Sequence, residues 1–74
     1  MNKNDLRFIK TEENIVASFL KILEKEDFSV ITITEICQLA RCSRNTFYLH
    51  YQTKDELMNN IVNEVLLHLS DELD

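Results

Sequence analysis

The decapeptide Cys42–Tyr51, CSRNTFYLHY, gathers side chains suited to a polyanion and contains no acid. Arg44 carries a planar fork of donors that fits two acceptors at once, such as guanine O6 and N7. Asn45 offers the donor–acceptor pair that fits adenine. Thr46, Tyr48 and His50 supply hydroxyl and ring N–H groups of the kind that reach phosphate oxygens. The acid-free stretch extends from Ile36 to Lys54. Arg41, Arg44 and Lys54 give it +3, which leaves −8 on the other 55 residues of a chain whose net charge is −5. Bulk charge therefore disfavours nucleic acid, while local charge marks one place where it can dock. Lys3, Arg7 and Lys10 against Asp5 add a weaker basic bias at the amino end.

Other chemistries fit less well. Cys37, Cys42, His50 and His68 are the residues from which a metal site would have to be built. A C-x4-C spacing matches no common zinc pattern, so the thiols read as buried and structural. The sequence has no nucleophile–base pair at recognisable spacing, no metal cluster and no glycine-rich loop, so neither an enzyme nor a cofactor is expected. Two cysteines are too few for a disulfide framework and point to a reducing cytosol; a DNA-bound protein there would be nucleoid-associated. No apolar run approaches the length of a membrane span, and no signal peptide is recognisable.

Positioning the decapeptide falls to helices. A chain of 74 residues makes one domain with a small core. It has no glycine for tight hairpins, no proline, and much Leu, Ile, Glu and Lys, so an all-α fold is expected. Residues 1–10 show no clear period and read as an arm. Thr11 can cap a first helix, with Glu12 and Glu13 in its first turn. Ile15, Phe19, Ile22 and Leu23, widened by Val16 and Leu20, carry its apolar face to about Lys25. Asp27–Ile31 read as a connection anchored by Phe28 and Ile31. Thr32 and Glu35 have the capping-box spacing, which predicts a short second helix with Ile33, Ile36, Cys37 and Ala40 on one face. After Arg41–Cys42–Ser43, Ser43 can cap a third helix to about Tyr51. Phe47 and Tyr51 face inward there. Arg44, Asn45 and Tyr48 face outward, with Thr46 and His50 at the rim. Thr53 and Glu56 repeat the capping box and start a fourth helix. Its stripes are Leu57, Ile61, Val65 and Leu69, and Met58, Val62, Leu66 and Leu73. Beyond about residue 62 nothing in the chain remains to cover them, so a further domain or second subunit is expected. Two short helices joined by a tight turn after a longer one make a helix-turn-helix, whose second helix enters the DNA major groove.

The stretch ITITEICQLARCSRNTFYLHYQTKDEL resembles the amino-terminal DNA-binding domain of the TetR family of bacterial transcriptional regulators. The family pattern runs T-x-x-x-I-A, a turn, T-[LF]-Y-x-[YH]-[FY], then [SN]-K-x-x-L. Thr32, Ile36 with Cys37 in the alanine place, Thr46–Phe47–Tyr48, His50–Tyr51, and Thr53–Lys54 with Leu57 stand in those places. The resemblance covers roughly residues 11–66. It implies a homeodomain-like three-helix unit over residues 11–57, with residues 58–74 as a connecting helix toward a carboxy-terminal ligand and dimerisation domain. It also implies phosphate contacts by Thr32 and Thr46, base readout by Thr34, Arg44 and Asn45, and base or phosphate contact by Tyr48. His50 and Lys54 would clamp phosphates, and Leu49 would touch a thymine methyl. A homodimer on a near-palindromic operator, repression, and release by a small-molecule inducer are further implications. Arg41 and Asp27 stand where the family commonly has glycine, so each position is either strained or differently shaped. The alternative reading is an acidic helical module whose aromatic helix binds another protein.

Overall fold

The computed structural model describes the backbone of residues 5–73 and the side chains of residues 5–69. Four α-helices follow in order: α1 Leu6–Leu23, α2 Ile33–Ala40, α3 Arg44–His50 and α4 Lys54–Leu73. A single 3₁₀ turn, Phe28–Val30, lies between α1 and α2. The all-α expectation holds, with α2 and α3 forming the tight helix-turn-helix pair.

The first helix starts earlier than its sequence suggests. Asp5, not Thr11, is its N-cap, and the Asp5 carboxylate accepts the Arg7 N–H at 2.8 Å. Residues 6–10 of the expected arm are therefore helical; residues 1–4 of it lie outside the described residues. Phe8 is buried and extends the inward face to Phe8, Ile15, Phe19 and Ile22.

The core joins Ile15, Phe19 and Ile22 of this face to Ile31, Ile36, Cys37, Ala40, Phe47, Tyr51 and Leu57, while Phe8 is buried apart from it, over His50. Phe28 sits edge-on to Phe19 at 6.1 Å between centroids, so the connection is tied in at both expected anchors, Phe28 and Ile31. Each fully buried Ile, Leu or Phe contributes about 1.5–3 kcal/mol by leaving water. Phe47, buried completely in the middle of α3, fixes which side of that short helix faces out.

Caps set the register of the helices around the turn. Thr32 Oγ1 accepts the Glu35 N–H at 3.1 Å. Ser43 Oγ accepts the Thr46 N–H at 3.0 Å and donates to Thr46 Oγ1 at 2.9 Å. Thr53 Oγ1 accepts the Glu56 N–H at 3.0 Å, while the Glu56 carboxylate reaches one residue further back than a reciprocal box requires, to the Gln52 N–H at 3.2 Å. Between α2 and α3, Arg41 adopts the left-handed conformation, φ 59° and ψ 46°. A side chain there costs on the order of 1 kcal/mol, so the turn keeps the glycine geometry without the glycine. Asp27, at φ −68°, carries no such strain. The Cys37 thiol donates to the Ser43 carbonyl at 3.7 Å, a weak tie across the turn, and burial pushes this thiol up to about 11.

Helix α4 divides into two parts. Leu57 is buried, with Met58 and Ile61 packed against the core. Val62, Val65, Leu66, Leu67 and Leu69 are exposed. The Leu73 side chain, which belongs to the expected stripe, lies outside the described side chains.

Candidate nucleic-acid interface

Because Phe47 and Tyr51 are turned inward, α3 presents Arg44, Asn45 and Leu49 to solvent, with Tyr48 and Thr46 half-buried at its edges. Beside it the amino ends of α2 and α4 converge. Together they enclose an open cleft of about 430 Å³ whose lining includes Thr32, Thr34, Arg44, Tyr48, Gln52 and Lys54. Asp55, at its margin, is the one carboxylate among the lining residues.

Arg44 lies at the centre of this surface. Its Nη1 donates to Thr34 Oγ1 on α2 at 3.0 Å, and its Nη2 donates to the Tyr48 hydroxyl one turn along α3 at 2.9 Å. The guanidinium carbon lies 5.9 Å from the centroid of the Tyr48 ring. The side chain is thus exposed yet braced from two helices. Five N–H donors minus two leave three for an external acceptor. Thr32 accepts its capping bond and keeps its own hydroxyl proton available. Asn45 and Leu49, four apart, form a second exposed stripe outside the cleft.

Two expected phosphate clamps are arranged differently. The His50 side chain is only 1% exposed; its Nδ1 lies 3.2 Å from Glu12 Oε1. Phe8 stacks on the imidazole at a centroid distance of 3.9 Å, so α1 seals this ring from solvent. The Lys54 ammonium donates to three carbonyls, Phe28 O at 2.7 Å, Ser29 O at 3.3 Å and Ile31 O at 2.9 Å. It also lies 4.5 Å from the Phe28 ring centroid. All three N–H donors of this side chain are occupied inside the protein. Lys54 therefore borders the cleft while holding the 3₁₀ turn to the start of α4.

Gln52 was not singled out by sequence reasoning. Its side-chain amide donates to the Tyr48 carbonyl at 2.9 Å and closes the far side of the cleft. Gln52 lies beyond the end of α3, past the extended Tyr51, so helical spacing gave no signal for it. Among the described residues no group of three or more His, Cys, Asp or Glu side chains could hold a metal ion. No helix there is long and apolar enough to cross a membrane.

Over 70 residues, 93% of its length, the chain is 36% identical to an uncharacterized HTH-type transcriptional regulator, YxbF, of Bacillus subtilis (strain 168). The chain is a homologue of a helix-turn-helix transcriptional regulator. It spans 18% of that relative's length. No family model matches the chain, and no solved structure does. The similarity runs through the α2–turn–α3 pair and the cleft beside it, since it takes in nearly every described residue.

Proposed function

We propose that this chain is a sequence-specific duplex-DNA-binding unit of a TetR-like transcriptional regulator, with α3 in the major groove. The observation that carries the reading is Arg44: the first residue of α3, exposed, and set among hydroxyl and amide side chains in the acid-free stretch of an acidic protein. In helix-turn-helix proteins the amino-terminal residues of the second helix are the ones that reach base edges. The likeness to an HTH-type regulator supports the same reading and favours a binding protein over an enzyme.

On this reading Arg44 and Asn45 read bases, Tyr48 contacts base or phosphate, and Thr32 and Thr46 position the backbone through phosphate oxygens. Leu49 touches a thymine methyl. His50 and Lys54 act from behind, by fixing α3 against α1 and α4 against the 3₁₀ turn. The unit begins at Leu6 rather than Thr11, because Phe8 is buried against His50 of α3. The exposed second half of α4 leads to a dimerising, ligand-binding region. The regulator represses as a homodimer that places two copies of α3 on a near-palindromic operator, until a small molecule changes their separation.

Selection of bound duplexes from a random pool, followed by a salt titration on the selected site, tests the reading. A recovered motif and a steep log–log decline of affinity with salt are expected. No enriched motif, or a shallow slope, would favour the acidic protein-interaction module instead.

A further inference from the structure

The bonding pattern around Arg44 constrains the base it faces. Arginine has no acceptor, so both contacts it makes to Thr34 and Tyr48 use hydroxyl oxygens as acceptors. Neither hydroxyl can return its own proton to the guanidinium. Each proton is left free for another acceptor, and both groups line the same cleft. The result is a cluster in which donors outnumber acceptors: three remaining guanidinium N–H groups and two hydroxyl protons against one spare lone pair on each hydroxyl oxygen. Among the major-groove base edges guanine alone offers two adjacent acceptors and no donor beside them; adenine sets an amino group next to N7, cytosine offers an amino group, and thymine one carbonyl beside a methyl.

We infer that Thr34, through its hydroxyl on α2, positions the Arg44 guanidinium as one donor array with Tyr48, and that this array reads a guanine. The inference rests on the DNA-binding reading and deepens it. Thr34 is a positioning residue in this scheme rather than an independent base reader. The bracing matters because a free arginine on the first turn of α3 could swing to a phosphate, which is equally acceptor-only. Held at two points from two helices, the fork keeps one orientation, and orientation is what separates base readout from phosphate attraction.

The experiment compares Thr34→Val, which keeps the shape and removes the acceptor, with Thr34→Ser, which restores the hydroxyl. Both are assayed by duplex selection, by salt titration and by thermal melting, alongside the unaltered chain. Thr34→Val is expected to lower the preference for guanine at one operator position about tenfold, within the range for losing a well-placed bidentate contact. Its salt slope and melting temperature stay unchanged, and Thr34→Ser recovers the preference. Tyr48→Phe should weaken the same position and no other. An undiminished guanine preference in Thr34→Val overturns the inference while leaving DNA binding intact. Uniform weakening on all sequences with a reduced salt slope also overturns it, since that is the mark of a phosphate contact. If the unaltered chain itself selects no duplex, the underlying reading fails and takes this inference with it.

Discussion

The two flanks of α3 use similar side chains to opposite ends. On the α2 flank, Arg44 and Tyr48 bond to each other and to Thr34, yet keep donors pointing at an open cleft. On the α1 flank His50, and at the border of the cleft Lys54, are also basic residues next to α3, but their nitrogens face a carboxylate, a stacked phenyl ring and three carbonyls. Residue type sets the charge a position can carry. Its neighbours decide whether that charge is offered outward or used to hold the fold. The exposed flank is suited to recognition, and the closed flank keeps it in place.

Several substitutions bear on this contrast. The largest effect belongs to the residue that separates the flanks: Phe47→Ala should cost about 3–5 kcal/mol and leave the domain largely unfolded by circular dichroism at ambient temperature. A normal melt would mean that the inward and outward faces of α3 are interchanged. Lys54→Met retains the aliphatic stem and removes the charged donor from three carbonyls, at a cost of about 1.5–3 kcal/mol. Its melting temperature should fall while the salt slope of DNA binding stays put; a slope smaller by about one unit would return Lys54 to the phosphates. Arg44→Ala should do the reverse. It should melt normally and lose about 1–3 kcal/mol of binding at one operator position, and equal losses on every sequence would make Arg44 a phosphate contact.

The smallest effect is on pH dependence. Burial, reinforced by Glu12, Glu64 and Glu56, pushes the Tyr51 hydroxyl up to about 12. Its ordinary value is near 10, so between those limits the unfolded chain releases a proton that the folded chain keeps. Stability from this group is complete below about pH 10 and declines as pH rises toward 12. Tyr51→Phe should flatten that part of a melting-temperature profile, and an unchanged profile would mean that Tyr51 is not buried on the closed flank.

What could be read from the sequence was local. The Thr32, Ser43 and Thr53 caps depend on residues three apart, and all three helix starts fall where those spacings put them. Phe47 and Tyr51, four apart on a short helix, similarly identify the inward face. The start of α1 was missed because Thr11 followed by two acids mimics a cap; the contrary sign was Phe8, seven residues before Ile15 on the same face. The partners of Lys54 and His50 were not legible at all. They lie 23–26 and 38 residues away along the chain, and no spacing rule links positions that only the packed fold brings together. The bracing of Arg44 by Thr34 is of the same kind, ten residues apart across the turn.

The stack of Phe8 on His50 bears on where this unit can be cut. A fragment trimmed to Thr11, the boundary that the capping signal invites, would keep every recognition side chain and lose the lid over the imidazole. His50 would then meet water, and Glu12 would sit in a frayed first turn. Such a shortened piece would report a stability belonging to the trimming rather than to the native protein, so comparisons of affinity should use chains that retain the turn beginning at Asp5.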